Sequence, residues 1–425
     1  MKRRIFIKTI LLLLPLFFAA GASAENKIKV ACVGDSITAG SGIKNQQMDS
    51  YPAILAEMLG KAYDVRNFGA SGRTLLKKGD NPYANDSNFK KALEFNPNIV
   101  IIKLGTNDSK PQNWKHKEEF KGDMLEMIAA FQALESKPEV ILCTPMLVVK
   151  SAWGITEDVV KTEVIPLIKE IAAEKNLRLI DFHTAFANNA EMIPDGVHPN
   201  EAGALKMAEI AYKILTGKDA PALAEPRGKF SEIEDWKRLD FPYQRRDIVV
   251  VFPKNQNENK NWVWLVDNFS SLSERNKQAL NDGKTLVWAD ASIWWGGQPS
   301  MRWAFEFHTY MREKLNLANA AEMEACGIGA MFALYWTDNS TDKIASLYFE
   351  NPICDIAKFP DRNNEKQLNE FLKKWRISKE DLENPKTNIF NDLSKIAKAG
   401  IKITISPNAR GNDAEALEAA IKKAN

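Results

Sequence analysis

Residues 28–38 read Ile-Lys-Val-Ala-Cys-Val-Gly-Asp-Ser-Ile-Thr. Ile28 to Val33 is a short, largely apolar and β-branched run, which reads as a buried strand because it is too short for a helix. Gly34-Asp35-Ser36-Ile37-Thr38 then turns polar where that strand ends. The same alternation recurs further along the chain. Strand-like runs lie at Tyr63 to Asn67, Ile99 to Leu104, Val140 to Cys143 and Leu177 to Ile180. Helical patterns lie at Tyr51 to Leu59, Phe120 to Leu134, Val159 to Ala173 and Ala202 to Leu215, the second with apolar residues at 120, 124, 127, 128, 131 and 134. Five strands alternating with helices predict a parallel sheet covered on both faces, a three-layer α/β/α sandwich. In such sheets ligands bind beyond the carboxyl ends of the strands, so the residues just after each strand are the first candidates for function.

The chain has 425 residues, more than one domain usually holds. With 45% hydrophobic and 26% charged residues it is globular in composition, which excludes collagen, a disordered polymer and a polytopic membrane protein. Lys+Arg 57 against Asp+Glu 55 leaves a formal charge of +2, so no footprint for nucleic acid or anionic lipid is visible. Four cysteines make no disulfide scaffold and none stand at a metal-knuckle spacing, so no metal or cofactor is expected.

At the N-terminus Lys2, Arg3, Arg4 and Lys8 precede an apolar run from Ile10 to Ala20, and Ala22-Ser23-Ala24 suits a signal peptidase. Residues 1–24 are therefore read as a cleaved signal peptide and the mature protein as exported, periplasmic or secreted, without a stable membrane anchor. Arg3-Arg4-Ile5-Phe6-Ile7-Lys8 resembles the twin-arginine export signal, Lys2 departing from its usual hydroxyl residue, and a general secretory signal fits the same residues. Residues 25–217 form the first domain on this reading. Residues 218–245, with Pro221, Pro226 and many charges, read as a linker. Residues 246–425 resume the alternation with strands at Asp247 to Phe252, Thr285 to Trp288, Ile344 to Phe349 and Ile401 to Ile405 and helices at Met301 to Leu315 and Lys366 to Trp375, a second α/β domain.

Three segments of the first domain stand at strand ends or helix starts: Gly34-Asp35-Ser36, Gly105-Thr106-Asn107-Asp108 and Asp195-Gly196-Val197-His198-Pro199-Asn200. Acyl transfer needs a hydroxyl nucleophile, a base, an acid that orients the base, and donors aimed at the developing oxyanion. Ser36, His198 and Asp195 can fill the first three roles. The Ser36 N–H, the N–H of Gly72 in Asn67-Phe68-Gly69-Ala70-Ser71-Gly72, and the Asn107 amide can fill the fourth. Their order and context closely resemble the SGNH (GDSL) hydrolase family, with matching residues Ser36, Gly72, Asn107, Asp195 and His198. The resemblance covers about residues 27–217 and implies a flavodoxin-like sheet and metal-free ester hydrolysis. Members act on O-acetylated carbohydrates, lipids and thioesters, so it leaves the substrate open.

Other readings exist for each residue. Ser36 on its own suits a helix cap; Asn107 and Asp108 suit a turn; His183, near the same edge but outside any block, is read as structural. Tyr51, Asn81, Tyr83, Trp114 and Trp153 are candidates to line a cleft. The polar stretch from Gly105 to Trp114 suits a sugar better than a long acyl tail. Cys32 and Cys143 lie in strands that a flavodoxin-like order separates, so no disulfide is expected between them; Cys326 and Cys354 stay open.

The second domain resembles, more weakly, the α/β-hydrolase fold. Glu324 to Tyr335 reads as the strand-turn-helix where that fold places Gly-x-Ser-x-Gly, yet here it reads Ala325-Cys326-Gly327-Ile328-Gly329, with Gly327 in the nucleophile's place. Of the four histidines only His308 lies in this domain, within a helical pattern, and none follows the last strand. A domain without catalytic residues is expected. Nine of the eleven tryptophans lie at or after Trp236. Exposed rings among Trp262, Trp264, Trp288, Trp294 and Trp295 would suit stacking on sugars; burial is the ordinary alternative. The sequence as a whole predicts an exported serine esterase acting on small acyl, above all acetyl, esters of carbohydrate. Alternatives are a lipase or thioesterase using the same site on longer chains, and a glycan-binding protein with a residual esterase domain.

Overall fold

The computed structural model describes residues 27–223, 225–266, 269–290, 296–356, 358–382, 388, 393–409 and 412–424. The first domain holds β1 (Ile28–Gly34), β2 (Tyr63–Gly69), β3 (Ile99–Lys103), β4 (Glu139–Cys143) and β5 (Arg178–Ile180), paired in parallel in the order β2-β1-β3-β4-β5. Successive residues of a strand point to opposite faces. Val30 and Cys32 enter one core with the helices Tyr51–Leu59 and Glu201–Thr216, whereas Ala31 and Val33 enter another with the helix Phe120–Gln132. Burial on both faces is why the strands read as continuous apolar runs, and it confirms the expected α/β/α layering. The chain leaves β1 toward one edge and returns for β3 on the other side, so a crevice opens at the carboxyl ends of β1 and β3.

The second domain is an eight-stranded mixed sheet, ordered β13-β12-β11-β9-β10-β8-β7-β6. Its strands are β6 (Lys229–Ile233), β7 (Trp236–Tyr243), β8 (Arg246–Phe252), β9 (Trp262–Leu265), β10 (Thr285–Ala289), β11 (Ala321–Cys326), β12 (Ile344–Glu350) and β13 (Lys402–Ile405). β6, β7 and β8 form an antiparallel meander that joins the parallel part through β10. The segment read as a linker is thereby corrected: residues 229–233 and 236–243 within it are sheet strands, and Pro242 sits inside β7.

The tryptophans resolve toward burial. Trp262 and Trp264 are fully buried and Trp288 is nearly so, the first two facing the helices Gln298–Leu315 and Gly329–Asn339 in the main core. Those rings stack on each other and on core aromatics, so they offer no sugar platform. Trp294 and Trp295 lie outside the described residues. Cys32 and Cys143 are free and buried, held apart by β3; Cys326 is exposed and Cys354 is buried. Among the described residues no helix is long and apolar enough to cross a membrane.

Candidate active site

The nucleophile candidate sits where β1 ends. Asp35 caps the short helix Ser36–Ala39 by accepting from Ile37 N at 2.9 Å. With the cap supplied by Asp35, the Ser36 hydroxyl is not consumed by capping and lies 2.8 Å from His198 Nε2. Asp35 is itself wholly buried and receives Lys103 Nζ at 3.0 and 3.1 Å, and the same ammonium reaches Thr106 Oγ1 at 3.0 Å. This ion pair crosses from the end of β1 to the end of β3 and ties the Ser36 turn to the Asn107 turn. Lys103 was missed from sequence. Its signal was present as a lone charge ending the apolar run Ile99-Val100-Ile101-Ile102.

The base candidate comes from the loop before the helix Glu201–Thr216. Asp195 Oδ2 lies 2.8 Å from His198 Nδ1, while Oδ1 accepts from Val197 N at 2.9 Å and His198 N at 2.7 Å. Partial burial pushes the Asp195 carboxyl up, and the two backbone N–H bonds with the imidazole outweigh it, so the group lies below the ordinary carboxylate range. An ionised carboxylate only accepts, so Nδ1 carries the proton and Nε2 is left to accept from the Ser36 hydroxyl.

Two further turns close on this pair. Ala70 N donates to Gly34 O at 2.9 Å, and a Cβ on Gly69 would fall 2.2 Å from Ala39 N, so only glycine lets β2 lie this close to the serine helix. Asn107, buried, gives its Nδ2 to Arg73 O at 3.1 Å, which fastens the amide beside Gly72. Asp108 accepts from Leu75 N and Leu76 N at 3.0 and 2.8 Å. Burial lifts its carboxyl to about 6 against the pull of those bonds, and its place in the interior marks it as a support of the turn.

Of the cleft candidates, Tyr51, Tyr83 and Trp114 are core residues. Asn81 lies at the site, its Nδ2 3.4 Å from where a Gly72 Cβ would stand, and it accepts from Arg73. Trp153 is 61% exposed and its ring centroid is 5.3 Å from that of His198. His183 pairs with Glu157 Oε1 at 2.8 Å and its backbone N–H donates to Thr144 Oγ1 at 3.1 Å, outside the constellation. His308 lies far along the chain in the helix Gln298–Leu315, bonded through Nε2 to Asn319 O at 2.8 Å. Gly327 follows β11 with φ +54°.

Residues 32–205 match the GDSL-like lipase/acylhydrolase family model. An acetylxylan esterase of Xylanibacter ruminicola is 44% identical over 207 residues, covering 44% of this chain and 43% of that protein. A multidomain esterase of Ruminococcus flavefaciens is 24% identical over 241 residues, covering 48% and 31%. The chain thus spans less than half the length of these curated relatives. A solved carbohydrate acetylesterase from Sinorhizobium meliloti aligns with 19% identity, 45% of this chain, 99% of its own and a TM-score of 0.38. The stretch that carries the five site candidates, Cys32 to Leu205, is thus similar to the GDSL-like lipase/acylhydrolase family.

Proposed function

We propose that the chain is an exported serine esterase that removes small acyl groups, above all acetate, from a carbohydrate. The observation that carries this reading is the relay Ser36 Oγ, His198 Nε2, His198 Nδ1, Asp195 Oδ2, with 2.8 Å at both links. Ser36 attacks the ester carbonyl while His198 takes its proton, and Asp195 holds the imidazole in the required tautomer and steadies the imidazolium. The N–H of Ser36, the N–H of Gly72 and the Asn107 amide stabilise the tetrahedral oxyanion. His198 then protonates the departing sugar oxygen, and water repeats the sequence on the acyl-serine to release the acid.

The carbohydrate side is supported by the relative described as an acetylxylan esterase and by the exposed Trp153 ring beside His198. A ring face of this kind packs against the C–H face of a sugar. Export rests on residues 1–24, and the N-terminal residue of the mature protein tests it. In the second domain, Gly327 and the absence of any histidine after His308 support a domain without its own catalysis.

The test is hydrolysis of acetyl and octanoyl esters by the purified protein beside Ser36→Ala. Turnover of acetyl esters that vanishes in Ser36→Ala supports the reading. Preference for octanoyl esters would make it a lipase or thioesterase, and turnover independent of Ser36 would overturn the mechanism.

A further inference from the structure

The segment that follows the nucleophile runs between the catalytic constellation and the second domain. Its first half touches the Ser36, Gly72 and His198 loops. Ser41 N donates to Ser36 O at 2.8 Å, and Ser41 Oγ lies 3.0 Å from Ser71 Oγ, next to Gly72. Lys44 N donates to Glu201 Oε1 at 3.3 Å, and a Cβ on Gly42 would lie 3.5 Å from His198 Cβ. Its second half is gripped from the other side. Asn45, wholly buried, donates its Nδ2 to Pro242 O at 2.8 Å and to the Tyr310 hydroxyl at 3.3 Å. Asp49, 1% exposed, is ion-paired with Arg227, with the Tyr310 hydroxyl 3.5 Å away and the Lys314 ammonium 3.7 Å away. Arg227 also donates to Met48 O at 2.8 Å, and the Met48 side chain packs against the second domain's core.

A tether needs none of this. Removing Asp49 and Arg227 from water is costly unless geometry and extra hydrogen bonds compensate, and here the Met48 carbonyl and the Tyr310 hydroxyl supply them. We propose that the second domain is a brace for the catalytic centre, with Asn45 and Asp49 as positioning residues. Docking through Arg227 and Tyr310 fixes residues 45–49. Those fix residues 41–44, which hold the Ser36, Gly72 and His198 loops in mutual register. The catalytic consequence rests on the esterase reading above, whereas the mechanical one does not.

The experiment uses the full chain as wild type, Arg227→Met, Arg227→Lys and Tyr310→Phe, the last removing only a hydroxyl in case Arg227→Met does not fold. Hydrogen–deuterium exchange is read over residues 36–49 and over 195–201, a loop of the first domain that carries His198. The brace predicts faster exchange in both segments, by roughly threefold or more in Arg227→Met, less in Tyr310→Phe, with Arg227→Lys closest to wild type. An increase confined to residues 45–49, or none, overturns it. On acetyl esters kcat is expected to fall about tenfold in Arg227→Met with KM within about twofold, the signature of misplaced catalytic groups. Unchanged kcat in a folded variant overturns the brace. Turnover that survives Ser36→Ala overturns the esterase reading instead and leaves the exchange result to decide the brace.

Discussion

Trp153 combines features that a structural residue rarely has. It adopts φ +52°, a left-handed conformation that is costly for a bulky side chain, and its ring is 61% exposed beside His198. The turn around it is closed by the Ala152–Ile155 bridge. On the proposed carbohydrate reading, a strained, exposed ring at that place would contact the substrate. Trp153→Ala is therefore expected to raise KM for an acetylated xylo-oligosaccharide by about tenfold, since a stacked ring contributes ~1–1.5 kcal/mol, while ethyl acetate turnover changes less than about twofold. Equal losses on both esters would show that the ring serves His198 and not the sugar. Ser36→Ala and His198→Ala are each expected to lower kcat by at least about a thousandfold on any ester. At this scale Ser36, Asp195 and His198, which the structure brings together, were readable as candidates because each stands at a strand end or just before a helix. Trp153 was named among five candidates, but nothing in its neighbours Ala152 and Gly154 distinguished an exposed ring from a core ring such as Trp114; the left-handed turn did that.

Among the elements, the Asp35–Lys103 ion pair joins the ends of two parallel strands, with both side chains fully shielded from solvent. Replacing Lys103 by Met leaves the Asp35 carboxylate buried without its cation, and thermal or urea unfolding is expected to show a loss of about 3–5 kcal/mol. Gly327 tests the other domain. A Cβ there meets nothing within 4 Å, so a side chain has room, though φ +54° makes it strained. Ser36→Ala/Gly327→Ser is expected to show no esterase activity, because His308, the one histidine of this domain, is buried and bonded to Asn319 O. Turnover that appears in the double variant and is missing from Ser36→Ala alone would refute the inert reading of this domain. The strands of the first sheet were readable since burial on both faces makes each a continuous apolar run. β6 and β7 were not: β6 is largely exposed and charged, and β7 carries Lys237, Arg238 and Asp240 between its buried residues, so the pair imitates a polar connection. β9 is also an apolar run buried on both faces, with Trp262 and Trp264 in one core and Val263 and Leu265 in the other, but it is only four residues long and its two rings drew a reading as sugar-stacking surfaces instead.

For the whole molecule, acid sensitivity is expected to arise in the second domain. Burial holds the His308 imidazole down at about 4, with Nε2 donating to Asn319 O. The unfolded chain binds that proton from near the ordinary histidine value of about 6.5. A depressed base stabilises the folded state above that value and loses the contribution as pH falls toward about 4. The gap corresponds to ~3 kcal/mol, so unfolding midpoints measured from pH 7 to pH 4 should fall less steeply in His308→Gln than in wild type. The α/β class of both sheets was legible in the alternation of strands and helices. Their union was not, because Asn45, Asp49, Arg227 and Tyr310 are individually ordinary polar residues whose meeting is tertiary.

That union also sets an order of events in synthesis. Asn45 reaches Tyr310 across 265 positions and Asp49 reaches it across 261. Domains fold as units, the N-terminal one first as the chain emerges. The first domain's sheet therefore completes while Tyr310 is still unmade, and the grip on residues 45–49 closes only after the second domain has formed. Newborn chains pass through a stage with a folded first sheet and residues 45–49 still unsecured, so chains truncated before Tyr310 resemble that stage and not the finished molecule.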